Sequence, residues 1–225
     1  MKRILFIACL LLVCVTISYF ILNPKKQKPL PIINPKDLNE EMVDPELLRI
    51  GQGHQIGDFR FQNQNKKTIT QKEINGKVFV AEYFFTTCQS ICPLMNKQMQ
   101  RIQEKFKGNE NLKILSFTVD PAIDNTDALE KYAKEMKAKD GQWHFLTGQK
   151  EELYSLARKS FFILKPAEAK NLGDAGSDFI HTNNFVLVFS KFNCGNTSFV
   201  SAICGIALGL TKLPQSNVSI PTCNN

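Results

Sequence analysis

Acidic residues run out before this chain ends: no Asp or Glu follows Asp178, where the overall composition predicts about four. Histidine is scarce, with three residues among 225: His54, His144 and His181. No internal repeat or low-complexity tract is present, so the chain is not a solenoid or an array. No basic cluster interleaved with aromatics is present either. The net charge of +7 and pI near 9.0 therefore describe a solvated surface with acidic neighbours, and nucleic acid is not an expected partner. Charge is missing altogether from Ile4 to Leu22. That run is long enough to cross a bilayer as a helix, which makes 1–22 a single transmembrane anchor. A cleaved signal peptide would have a shorter apolar core and a small-residue cleavage site, and none precedes Asn23. Leu11-Leu12-Val13-Cys14 is a poor lipobox, because Val13 is bulky where a small residue is wanted. No Arg- and Ser-rich amphipathic presequence precedes the anchor, so a bacterial inner membrane is expected in preference to a mitochondrion.

What the chain does have is a dithiol at a strand–helix junction. Lys77 to Phe85 is a short, mostly apolar, β-branched and aromatic run, as a buried strand should be. Cys88-Gln89-Ser90-Ile91-Cys92-Pro93 follows, with Pro93 suited to a first helical position, and then Met95, Met99, Ile102 and Phe106 at helical spacing. The Met95–Met99 spacing marks a core face, not thioether ligands. Both thiols fall at a helix N-terminus, where unpaired N–H groups and the helix dipole favour thiolate. Residues four apart share one helical face, so the two sulfurs point at one ligand or at each other. Two cysteines at this spacing are also compatible with buried hydrophobes or a structural disulfide; the helix-start placement and the implied export favour function.

The rest orders itself around that junction. Residues 23–50 carry five prolines among polar side chains and read as a tether. Lys25, Lys26 and Lys28 follow the anchor and by simple count favour the opposite orientation; an N-terminus inside is still expected, because an exported domain suits a dithiol site. From residue 51, about 175 residues remain, enough to bury roughly 70 % of the unfolded chain's surface as one domain. Asp58–Thr70 alternates, turns at polar residues and resumes, which predicts a hairpin. Leu112–Val119 is a second strand, closed by Asp120-Pro121. Asn125 or Thr126 caps a helix bearing Leu129, Tyr132, Ala133 and Met136. Trp143–Leu146 is a short strand, 150–159 a helix and Asn184–Phe189 another strand. Strands alternating with helices predict an α/β domain with a mixed central sheet over 51–189.

With these residues in this order, the chain resembles the Sco/SenC family of membrane-anchored, thioredoxin-like copper proteins. The resemblance is carried by the strand–C-x-x-x-C-P–helix segment, by Val119-Asp120-Pro121 with Asp124, and by His181-Thr182 shortly before Phe185–Val188. It implies a thioredoxin-like sheet flanked by helices, and one copper ion, Cu+ or Cu2+, held by Cys88, Cys92 and His181. Asp120 and Asp124 would lie behind the ligands. Soft thiolates select Cu(I), imidazole suits copper in either state, and a set of two sulfurs and one nitrogen leaves an open position. Zinc ordinarily wants a fourth ligand, which His54 and His144 are not evidently placed to give. The implied function is delivery of copper to the binuclear copper site of cytochrome c oxidase, reduction of that site's cysteines, or both. Implied partners are the oxidase's copper-site subunit, other copper chaperones and thiol–disulfide reductants, with the domain facing the periplasm. The alternative is a general exported thiol–disulfide oxidoreductase cycling Cys88 and Cys92 without copper, Cys88 attacking. A peroxide-reducing site is disfavoured, since Thr86 and Pro93 have no arginine near them in sequence.

The likeness stops after Val188. Residues 190–225 are rich in Asn, Ser and Thr and add Cys194, Cys204 and Cys223, where the family would continue into another strand and helix. A changed reading frame or a misjoined end would produce such a segment and leave a sheet edge uncovered; a divergent tail folding over the same face is the other reading.

Overall fold

The structure, a computed structural model, describes residues 2–22, 38, 43, 46–47, 54–162, 185–189 and 200–204, with the backbone alone at 20–22, 189 and 200–204. Two compact units are separated near residue 30. The first is α1 (Lys2–Leu22), an unbroken helix whose 18-residue stretch Lys2–Tyr19 has a mean hydropathy of 2.0 and buries none of its surface. Its length and composition are those of a membrane-crossing helix.

The second unit is built on one seven-stranded sheet. Its elements are β1 (Arg60–Asn63), β2 (Thr68–Thr70), α2 (Gln71–Ile74), β3 (Val78–Phe84), α3 (Cys92–Lys105), β4 (Leu112–Thr118), α4 (Thr126–Glu135), β5 (Trp143–Thr147), α5 (Lys150–Lys159), β6 (Phe185–Phe189) and β7 (Val200–Cys204). The strand order is β2-β1-β5-β4-β3-β6-β7. β3, β4 and β5 run parallel, from Val78↔Leu112 to Phe84↔Thr118 and from Ile114↔Trp143 to Phe117↔Leu146. The outer pairings are antiparallel. This is the expected thioredoxin-like mixed sheet with its N-terminal hairpin. The hairpin turns where Asn63 Oδ1 accepts the amides of Asn65 and Lys67, with Lys66 in the left-handed region at φ 59°.

Every residue of β3 is buried, as a central strand requires, and its alternation feeds two cores. Phe79, Ala81 and Tyr83 join Leu115, Phe117 and Leu153, Leu156 and Ala157 of α5 on one face. Val80 and Phe84 join Ile114, Trp143, Phe145, Leu129, Tyr132 and both cysteines on the other, under α3 and α4. Met95 and Met99 are core there, 4 % and 0 % exposed. Asn125 caps α4 through its side chain, accepting from the Asp127 and Ala128 amides at 3.1 and 3.0 Å. Part of the Pro-rich segment lies against this unit: Val43 is buried, and Glu46 pairs with Lys159 at 2.9 Å.

Two elements escape the sequence reading. The short α2 is nucleated by a Thr70–Glu73 capping box. β7 pairs with β6 from Phe185↔Cys204 to Phe189↔Val200, so the edge that the sequence leaves open after β6 carries a further strand. Val200 and Ile203 are β-branched, which suits a strand too short to announce itself. The remainder of the 190–225 segment lies outside the described residues.

Candidate metal and redox centre

β3 and β4 carry the chain to the centre. The Val119 amide donates to the Phe84 carbonyl at 2.9 Å, closing the parallel ladder one residue beyond the strands. The chain then turns, the Cys88 amide donating back to the Phe85 carbonyl at 3.2 Å, and re-enters as α3 at Cys92. The Ile91 N-cap offers no side-chain acceptor to the first amides of α3, and Pro93 removes one of those donors. The Cys88 sulfur fills the gap by accepting the Cys92 amide at 3.4 Å, with the Ser90 hydroxyl 3.7 Å away. A thiolate at Cys88 would therefore cap the helix and meet the positive end of its dipole.

The two thiols are unequal. Burial alone would raise Cys88, but hydrogen bonds from the Cys92 thiol and amide and from Ser90 outweigh it and hold the thiol below its usual range. Burial pushes Cys92 far upward, and the hydrogen bond to Cys88 adds to the rise. Cys92 is fully buried and Cys88 is 6 % exposed, so the outer, more acidic sulfur is the one a partner meets first.

Asp124 anchors the loop from the other side. Its carboxylate accepts the Thr86 amide at 3.2 Å, the Thr86 hydroxyl, and the Thr118 hydroxyl at 2.5 Å. Burial raises its pKa above the usual carboxylate range against the pull of those three donors. Asp120 contributes its carbonyl, which takes the Ile123 and Asp124 amides at 3.1 and 2.8 Å, and its own amide donates to the Thr118 hydroxyl at 2.9 Å. The two acids thus shape the loop facing the cysteines.

A buried polar cluster beneath Cys92 escapes the sequence reading, which takes Glu82 only as part of an apolar strand. Ser116 donates to Glu82 Oε1 at 2.6 Å, and Trp143 Nε1 donates to Ser116 at 2.8 Å. Glu82 is fully buried, and burial raises its pKa to about 7. Asn96, one turn after Cys92, donates to the Tyr132 hydroxyl at 2.6 Å. Glu82 Oε2 and Asn96 Oδ1 find no partner among the described residues. Negative charge on Glu82 raises the pKa of Cys92, and charge on Cys92 or Glu82 raises that of Tyr132, so the pocket tolerates little charge at once. A lone glutamate inside the β3 run is the available signal.

His181 lies outside the described residues, and no group of three His, Cys, Asp or Glu converges among those that are described. The other histidines are committed elsewhere. His54 Nε2 meets the Ser160 carbonyl at 3.1 Å with its ring 4.5 Å from Phe162, and His144 Nδ1 meets Asn63 Nδ2 at 3.1 Å.

Fold and site together define a thioredoxin-like dithiol protein, its cysteine pair at the carboxyl end of a central strand and the start of a helix. Residues 49–197 match the SCO1/SenC family, and the chain belongs to that family. It is 36 % identical over 138 residues to the SCO1 protein homolog of Bacillus subtilis (strain 168), covering 60 % of this chain and 68 % of that protein. Among solved structures it is similar to a SCO1/SenC family lipoprotein from Bacillus anthracis str. Ames, at 26 % identity and a TM-score of 0.55 over 67 % of this chain and 84 % of that one. It is similar too to BsSco, a member of the Sco family of cytochrome c oxidase assembly proteins in which a disulfide switch was identified. That likeness has 33 % identity and a TM-score of 0.52 over 67 % and 83 % of the two chains. Other Sco proteins have been solved with copper bound.

Proposed function

We propose that this protein is a membrane-anchored copper carrier that takes copper on Cys88, Cys92 and His181 and serves assembly of a respiratory oxidase's copper site. The observation that carries the reading is the Cys88–Cys92 pair: two sulfurs in hydrogen-bond contact, Cys88 on the loop and Cys92 opening α3, just beyond the end of a buried central strand. Such a pair offers two soft donors to Cu(I), and an imidazole would complete a three-donor set with an open position for handing the ion on. Copper is the cargo here. Loading it displaces both thiol protons, which comes easily from Cys88 and less so from buried Cys92. Asp120 and Asp124 hold the facing loop, and so the sulfur geometry, in place. Anchoring by α1 in a bacterial inner membrane, with the domain toward the periplasm, would put the site where an exported copper acceptor lies.

A second reading has its own support. The inequality of the thiols is the arrangement an attacking and a resolving cysteine need, so Cys88 and Cys92 would reduce the client's cysteines as dithiol and disulfide. Titration of the reduced full-length protein with Cu(I) in lipid nanodiscs, wild type against His181→Ala, decides between them. Stoichiometric binding that the substitution weakens by tenfold or more, with thiol reactivity kept, supports the carrier. Unchanged copper affinity in His181→Ala removes the imidazole from the site, and absence of binding in the wild type leaves the reductase.

A further inference from the structure

Outside α1, two large apolar side chains among the described residues stand exposed: Leu94 at 43 % and Ile123 at 52 %. Both belong to the dithiol loop's surroundings. Leu94 is in the first turn of α3, two residues after Cys92. Ile123 sits on the β4–α4 loop beside Asp124, whose carboxylate holds the Thr86 amide two residues before Cys88. Half-buried Phe85 and Ile91 flank Cys88 in the chain. A domain whose other described large hydrophobic side chains are covered, and that leaves two on the segments around its cysteine loop, presents a docking rim. The rim's charge is as telling. No Asp, Glu, Lys or Arg occurs from Tyr83 to Asn96 in a chain whose net charge is +7, and Asp120 is the acid of the facing loop that is not fully buried.

We infer that Leu94 and Ile123 form the docking rim for the client, an uncharged, apolar, cysteine-bearing segment of another polypeptide. This rests on the reading of Cys88 and Cys92 as the reactive pair, and it adds what selects the partner. The occupant must carry sulfur, because only sulfur exchanges with Cys88 and competes with it for a soft ion. It must be apolar and uncharged, because a charged segment would lose hydration against Leu94 and Ile123 and find no counter-charge along Tyr83–Asn96.

Thiol–disulfide exchange reads the docking directly. The Cys88 thiolate attacks one sulfur of a client disulfide; a Cys88–client bond forms, the client's S–S bond breaks, and the leaving thiolate takes a proton from water. Cys92, its proton given to solvent, then attacks the Cys88 sulfur and releases the second client thiolate, which is protonated in turn. The client gains two electrons and the Cys88–Cys92 pair loses two.

The test uses reduced full-length protein in nanodiscs and two synthetic peptides, each with one internal disulfide. One has Leu, Val and Phe flanks, the other Lys and Glu flanks. A small aromatic disulfide, too small to reach the rim, reports intrinsic reactivity. Wild type is expected to reduce the apolar peptide about tenfold faster than the charged one, and Leu94→Ser with Ile123→Ser to bring the two rates together. The rate with the small disulfide should stay unchanged in that variant, which also shows that the loop is intact. Equal peptide rates in wild type, or a preference that survives the double substitution, overturns the docking rim while leaving the dithiol reading in place. Failure of wild type to reduce even the small disulfide overturns both.

Discussion

The Asp124 carboxylate receives the Thr86 amide at 3.2 Å, so the loop after β4 holds the start of the loop that carries Cys88. The same carboxylate takes the Thr86 and Thr118 hydroxyls, so three donors on two strand ends converge on one side chain. Asp124→Ala strands these donors in a buried setting, at a cost of about 3 kcal/mol of stability. Asp124→Asn keeps an acceptor and is expected to cost less. Chemical denaturation measures both. If the bond to Thr86 sets the loop, Cys88 alkylation in the Ala variant will also change while a distant surface site does not.

The inequality of the two sulfurs predicts an order of reaction. In the reduced protein, iodoacetamide should modify Cys88 before Cys92, with an inflection in the pH–rate profile below that of an ordinary thiol. Ser90→Ala removes one of the donors that lower Cys88 and should move that inflection upward only in part, since the Cys92 donors remain. Mass spectrometry of the singly modified protein locates the label. A label found first on Cys92 would contradict the burial described above.

Much of this arrangement is visible in sequence, and the exceptions have physical causes. α3, α4 and α5 carry a helical period, and β3, β4, β5 and β6 are short apolar runs, so Met99 declares its burial by spacing and Phe117 by the run it stands in. The cysteine pair announces itself through Pro93 and the apolar run before it. Glu82 stays hidden because a single acid does not break an apolar run, and its partner Ser116 and the Trp143 bonded to that hydroxyl in turn come from strands remote in sequence. Asp124 is legible only as a motif; its role depends on Thr86 and Thr118 meeting across a parallel ladder that no local pattern encodes. β7 escapes because five residues of mixed polarity carry too little signal, and their pairing with β6 is a tertiary fact.

Glu82 makes stability depend on pH. Its carboxyl has an ordinary value of 4.5 and is raised by burial to about 7 in the fold. Below pH 4.5 both folded and unfolded chains hold the proton and Glu82 adds no slope. Between 4.5 and 7 only the unfolded chain gives it up, so stability falls as pH rises and levels off above 7. The full loss is roughly 3 kcal/mol. Glu82→Gln has no proton to lose, so thermal or urea unfolding should show it gaining on the wild type from pH 4.5 to 8. A constant difference across that range would mean that Glu82 is ionised in the folded protein.

His144 runs the other way, and the two together predict a profile neither gives alone. Burial, reinforced by Lys113, lowers His144 from 6.5 to about 4, and its Nδ1 meets the Asn63 amide group, a donor that a protonated ring nitrogen would repel. Above pH 6.5 the ring is neutral in both states. As pH falls from 6.5 to 4 only the unfolded chain takes the proton, and stability drops by roughly 3 kcal/mol. Between about 4.5 and 6.5 this slope opposes that of Glu82, so their contributions to the wild type nearly cancel there. Each single substitution should expose the surviving slope: Glu82→Gln should grow more stable as pH rises through that window, and His144→Asn less stable. Urea unfolding at half-unit pH intervals measures both slopes, and parallel curves for the three proteins would show that these buried groups do not titrate against each other.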